Sequence, residues 1–205
     1  MPRLEAQTRF LLCGSVLLIG LLALWWFALV GPMLSVLKGA AGLFVVIQEN
    51  PSGDWTLRVP LDKVLPATPQ QPVAQRIHSV DFDMPRSDVI TFTFSLPVFW
   101  AIVLAAPGVR RSLRPLLLGT ALISAFELLL MLVFAQITAW NVVYQLGAGD
   151  ASGKWIRHVG EYLVVNVLPY AVPFLVAVSL HRELREAIFP WRHEAELRRP
   201  RAPRR

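Results

Sequence analysis

Few residues of this chain have the type and spacing that chemistry needs. The four histidines are His78, His158, His181 and His193. His158 follows Arg157, stands three residues before Glu161 and shares its stretch with Asp150. Such a set could bind a ligand or move a proton, and helix-start electrostatics accounts for it equally well. No HExxH, no paired metal-ligand spacing and no glycine-rich phosphate loop occurs. The single cysteine, Cys13, has no histidine near it in sequence to act as a base, and it reads as a buried small apolar residue. Being alone, it excludes an internal disulfide and a cysteine-based zinc site. Ser95 and Ser124 have no base in their own stretches except Glu127. Attention therefore falls on that glutamate, which lies inside LLLGTALISAFELLLMLVFAQITAW, residues 116–140.

The elements that carry these residues are apolar. Of 205 residues 55% are hydrophobic and 17% charged, against about 25% charged in an average soluble domain. Four runs, 10–37, 89–109, 115–144 and 162–180, reach the roughly 20 apolar residues that a helix needs to cross a bilayer. The first is too long for the core of a signal peptide and is read as an uncleaved span ending near Pro32. The expected fold class is an all-α integral membrane protein. It has four transmembrane helices and a small β-rich extracytoplasmic segment between helices 1 and 2. Its divisions are an N-terminal tail with the first helix (1–37), the β-rich segment (38–88), a three-helix membrane region (89–180) and a basic cytoplasmic tail (181–205).

Orientation follows from lysine and arginine. With four spans, thirteen of the twenty lie on one side: two before the first span, Arg110, Arg111 and Arg114 after the second, and eight in the tail. The other seven are spread over the two longer loops. The positive-inside rule then places both termini in the cytoplasm and the loops 38–88 and 145–160 outside. The charge of +6 fits this arrangement rather than nucleic acid. Trp140, Tyr144, Trp155 and Tyr162 bracket the second outer loop as an interfacial aromatic belt. In the first outer loop LFVVIQ, WTLRVPL and RIHSVDFDM read as three strands, with the turn ENPSGD and the connector PATPQQPV between them. About fifty residues bury little core alone, so this cap is expected to rest on the membrane or on a partner. The arginine-rich tail reads as an orientation signal with a disordered end.

Within the spans two polar patterns stand out. In the fourth, Pro169 and Pro173 free the carbonyls of Val165 and Pro169, and Pro97 does the same to Thr93 in the second. Asn166, Tyr170, Pro173 and Ala177 share a helical face that is expected to pack inward, with polar neighbours satisfying the freed groups. In the third, Thr120, Ser124, Glu127, Phe134, Thr138 and Asn141 lie within about 60° of one another. No lysine, arginine or histidine occurs inside the four runs, so the chain offers Glu127 no side-chain counter-ion. An ionised carboxylate at mid-bilayer costs on the order of 3 kcal/mol. Either Glu127 is neutral and donates to a neighbouring helix, with Tyr170 or Ser95 as acceptor, or it meets a polar group of a partner. Glu127, Ser124, Thr120, Asn166 and Tyr170 are thus the candidate helix-packing or partner-binding residues. No catalytic residue, metal or cofactor is expected.

The string SVDFDMPRSDVITFTFSLPVFWAIVLA resembles the strand-to-span junction of the exosortase H-associated membrane proteins. EYLVVNVLPYAVPFLVAVSL is similar to their last span, with an aromatic residue, Leu-Pro and a second proline. The likeness covers roughly residues 10–188. It implies a bacterial inner-membrane accessory protein, without catalytic residues of its own. The partner it implies is an exosortase, a multispan transpeptidase-like enzyme that processes proteins carrying a C-terminal sorting signal. Two alternatives stay open: a small transporter or channel subunit using Glu127, and a membrane enzyme using His158, Asp150 and Glu161. The expected partners are membrane lipid and an exosortase-like membrane protein.

Overall fold

The computed structural model describes residues 2–65, 67, 74–106, 113–145, 151–181 and 184–185. The loop arginines Arg110 and Arg111, Asp150, most of the connector 66–73 and the tail from 186 onward lie outside the described residues. Four helical runs are long and apolar enough to cross a membrane: Leu11–Ala41, Arg86–Ala105, Arg114–Val143 and Gly153–Leu180. They agree with the four expected spans, although the first and last run further than expected. The first contains α1 (Pro2–Leu24), a π turn (Trp25–Leu29) and α2 (Val30–Ala41). The second contains α3 (Arg86–Thr91) and α4 (Ser95–Ala105), and the third is α5 (Arg114–Val143). The fourth begins in α6 (Ala151–Tyr162), passes through a π turn (Leu163–Val167) and ends as α7 (Leu168–Leu180). Much of the expected outer loop 145–160 is therefore helix. Cys13, expected to be buried, is exposed on α1.

Prolines explain the irregular turns. A proline ring strikes the carbonyl four residues back and leaves it without a donor. For Pro32 and Pro169 those carbonyls belong to Ala28 and Val165, and both sit inside a π turn. The widened turn, closed by Val30 N–H to the Trp25 carbonyl and by Leu168 N–H to the Leu163 carbonyl, absorbs the misfit. Pro97 acts differently. The second span breaks at 92–94 and restarts at Ser95, which puts Pro97 in the first turn of α4, where a missing N–H is tolerated.

The segment between spans one and two is a three-stranded antiparallel meander of β1 (Val46–Glu49), β2 (Trp55–Leu65) and β3 (Gln75–Met84). All three expected strands are present. Gly53, at φ +83°, makes the β1–β2 turn, and the Gly53 N–H donates to the Asn50 carbonyl at 2.8 Å. On β2 the alternate residues Trp55, Leu57 and Val59 are buried. They share one core with Leu34, Leu37 and Ala41 of α2 and with Ala135, Ala139 and Val143 of α5. The sheet thus has an apolar floor within the chain itself, which the expectation of a cap resting on lipid or on a partner did not include. At about 1.5 Å per residue α5 is about 45 Å long and outreaches a hydrocarbon core of about 30 Å. Its far end therefore supplies the apolar floor that fifty residues could not build alone.

The sheet's outer face carries ion pairs. Arg58 sits opposite Asp81 in the register and donates from Nε to Oδ1 at 2.8 Å. Arg76 donates to Asp62 at 2.7 Å. Asp54 accepts the Arg86 N–H at 2.9 Å and so fixes the first turn of α3 to the hairpin. Hydrogen bonds from Arg58 and Arg76 hold the Asp81 and Asp62 carboxyls below the usual carboxylate range, and the Arg86 amide does so for Asp54. A depressed folded pKa stabilises above the unfolded value of about 3.9 and loses that contribution as pH falls through the folded one. Acidification from pH 7 to 5 should leave the sheet unchanged, and loosening should begin below about pH 4. Amide hydrogen exchange of β2 and β3 in detergent, corrected for intrinsic rates, checks this; loosening already between pH 7 and 5 would contradict it.

Candidate functional site

The site forms where the spans meet at mid-depth. α4 packs against α1, α5 and α7, which makes its first turn the meeting point. A helix that starts inside an apolar layer exposes backbone N–H groups with no partner of their own. At α4 one of these is the Leu96 N–H, and it donates to Glu127 Oε1 of α5 at 3.2 Å. Glu127 is only 4% exposed and Ser95 is fully buried. The Ser95 hydroxyl donates to the Pro169 carbonyl of α7 at 3.0 Å. That carbonyl is the one Pro173 leaves free, so a polar side chain satisfies it as expected. The N-terminal end of α4 also presents partial positive charge to the carboxyl. The lack of a side-chain counter-ion is thus offset by a helix end.

This corrects the expected bonding of Glu127: it meets a main-chain amide, not the Tyr170 or Ser95 hydroxyl. Thr120, two turns away on α5, faces the same helix. Trp100 Nε1 of α4 donates to Thr120 Oγ1 at 2.9 Å, and the Thr120 hydroxyl donates to the Leu116 carbonyl at 2.8 Å. Between them Phe99 is fully buried against Gly119, where an added Cβ would stand 2.0 Å from its Cζ. Trp25, Phe94 and Tyr170 line the junction in a row, with ring centroids 5.7 and 5.4 Å apart and edge-on geometry at each step.

The remaining candidates face elsewhere. Ser124 is exposed on α5 and Asn166 is exposed in the second π turn. Tyr170 is half exposed, with its ring edge against Phe94. The expected inward face of span four is therefore corrected. The buried line is Val164, Pro169, Pro173 and Ala177, spaced by five, four and four residues. The step of five is the π turn, which rotates Asn166 out of the line. Thr138 is partly buried, and its hydroxyl has no partner among the described residues.

At the sheet end, Arg157 Nε donates to Asn141 Oδ1 at 3.0 Å, and its guanidinium lies 4.6 Å from the Tyr144 ring centroid. Asn141 Nδ2 donates to Glu161 at 3.4 Å. Arg157 and Glu161 thus tie α6 to α5, while His158 is exposed. Of the set His158, Asp150 and Glu161, Asp150 lies outside the described residues, and Glu161 accepts from Asn141. The described residues do not place three or more His, Cys, Asp or Glu together to hold a metal.

Sequence reasoning missed the Leu96 amide. The available signal was Pro97, because a proline in mid-span marks a helix start and hence free donors nearby. Glu127→Gln keeps an oxygen that accepts the Leu96 N–H, so its melting temperature in detergent should match the parent. Glu127→Leu strands that amide at a cost of about 1–3 kcal/mol and should melt several degrees lower. Tryptophan fluorescence on heating measures both, and equal melting of the Leu variant and the parent would remove the capping role.

Comparison with known proteins adds one match. The family model described as exosortase H-associated membrane protein covers residues 4–184, nearly the whole chain. No curated protein and no solved structure matches the chain. The resemblance drawn from the strand-to-span junction and the last span agrees with that match, and it is the extent of the match that decides: the chain belongs to the exosortase H-associated membrane protein family.

Proposed function

We propose that this protein is a non-catalytic accessory subunit of an exosortase-type protein-sorting enzyme in the bacterial inner membrane. The observation that carries this reading is the family match over residues 4–184. The use of the polar groups supports it. Glu127, Ser95, Thr120 and Trp100 join spans to one another, and Arg157, Asn141 and Glu161 join α6 to α5. These are groups engaged in holding a scaffold. The scaffold carries a sheet fixed on the ends of α2 and α5, at a set height above the apolar layer.

Arginine placement supports an orientation with both termini and the loop 107–112 in the cytoplasm and the sheet outside. Reporter fusions after Gln71 and after Arg205 should then report opposite sides, and a shared side would overturn the arrangement. For the partner, the tagged full-length protein is extracted from its native membranes in mild detergent and its companions are identified by mass spectrometry. An exosortase should co-purify in near-stoichiometric amount. Recovery of the protein without any exosortase, at an extraction that keeps other membrane complexes intact, would sink the proposal.

A further inference from the structure

The two edges of the sheet are built differently. A sheet's last strand turns unpaired main-chain N–H and C=O groups outward, and proteins blunt such edges with short strands, proline, lysine and bulges. On the β1 side every one of these is present. β1 has four residues against eleven in β2. Where β2 runs on past it, Pro60 brings no N–H, the register slips between Pro60 and Lys63, and Lys63 adds a charge. The other edge, β3, has ten residues without proline or lysine. From Ser79 to Met84 its register with β2 is unbroken. The charges it carries are drawn back across β2: Asp81 takes the Arg58 guanidinium at 2.8 Å, Asp83 accepts from the Thr56 hydroxyl at 2.6 Å, and Arg76 donates to Asp62 at 2.7 Å. Among the described residues no further strand pairs with its outer side.

An open main-chain edge selects an extended chain, because only a strand returns its N–H and C=O groups at the same spacing. The side chains refine the choice. Val80 and Met84 are buried and Phe82 is half-buried on the core face, while Ser79, Asp81 and Asp83 are exposed on the other. Asp83 has no cationic partner among the described residues. The strand that fits therefore alternates apolar residues beside Val80, Phe82 and Met84 with polar or basic ones beside Asp81 and Asp83. A second β3 does not fit. With like faces together, two antiparallel copies overlap this stretch most when Asp81 meets Asp81 or Asp83, and like charges directly opposite repel. The edge is also short. Six residues of main-chain pairing are too few for a permanent subunit interface, and they read little sequence, so they suit a chain that is bound in passing and varies from case to case. We infer that the Ser79–Met84 edge of β3 takes an extended segment of the protein being sorted as a fourth strand of the sheet. The inference rests on the accessory-subunit reading above and gives that subunit a surface that holds substrate.

The test places a photo-crosslinking residue at Ser79 of the full chain in its native membranes. Ser79 is exposed and takes part in none of the side-chain bonds described above. Illumination should join it to a protein that carries the sorting signal, in its unprocessed form. Peptide mapping should put the crosslink in a stretch of alternating apolar and polar residues. The same photo-residue at Gln48, on the blunted edge, should give about fivefold less product. Ser79→Lys adds the missing guard to the β3 edge without touching the core. It should keep the parental melting temperature and the parental amount of co-purified exosortase, yet leave about threefold more substrate unprocessed. Parental processing by Ser79→Lys, or equal crosslinking at Ser79 and Gln48, overturns the added strand and leaves the accessory role intact. A crosslink to the exosortase alone, or between two copies of this chain, overturns it too, because the edge would then serve assembly. If the parent itself retains no exosortase, the accessory reading fails and the substrate strand falls with it.

Discussion

The structure depends on one requirement: inside an apolar layer every main-chain N–H and C=O must find a partner within the protein. The chain places Pro32, Pro97, Pro169 and Pro173 in its spans, and each breaks that rule locally. The repairs differ. Two π turns widen the helix around the carbonyls of Ala28 and Val165. The Ser95 hydroxyl crosses to the Pro169 carbonyl. The break at 92–94, which seats Pro97 in a first turn, leaves the Leu96 N–H to be met from another helix, and Glu127 meets it. A carboxyl in mid-span is thus explained by a proline in the helix packed directly against it. Its cost is offset by a donor that would otherwise be stranded and by the positive end of α4.

Much of this was legible in the sequence, and the rest was not, for reasons that particular residues show. The four spans followed from run length and the three strands from alternation and turn residues. The fate of the Pro169 carbonyl followed from the chemistry of Pro173. The partner of Glu127 did not, because a helix wheel displays side chains while the partner was a main-chain amide exposed by a break. The face of Asn166 was misjudged for a related reason. A wheel drawn at about 100° per residue assumes an unbroken α-helix, and the π turn at Leu163–Val167 inserts an extra residue into the phase. That the sheet has a floor within the chain was also missed: the apolar residues beneath Trp55, Leu57 and Val59 come from the end of a helix about 80 residues further along the chain, and no local pattern announces a helix longer than a bilayer core.

At the sheet end α6 is tied to α5 by two of its charged residues. In α6 Arg157 is turned toward α5 and bonds Asn141, and Asn141 in turn bonds Glu161, while Trp155, Ile156 and Tyr162 are exposed. α6 thus turns Arg157 and Glu161 toward α5 and shows Trp155, Ile156 and Tyr162 beside Lys154 on its outer side, a mixture suited to an interface. Lys63 lies 4.5 Å from the Trp140 ring centroid on the sheet side of the same level of α5. The end of α5 is therefore bordered by the sheet on one flank and by α6 on another.

The π turn determines which residues the fourth helical run buries. α6 is anchored to α5 through Arg157 and Glu161, and α7 is anchored to α4 through Pro169. Between these contacts Pro169 accompanies the widened turn, so Val164 rather than Val165 falls in line with the buried prolines and Asn166 lies on the outer face. The same proline that needs repair inside the protein thereby decides which polar group the protein presents outside it.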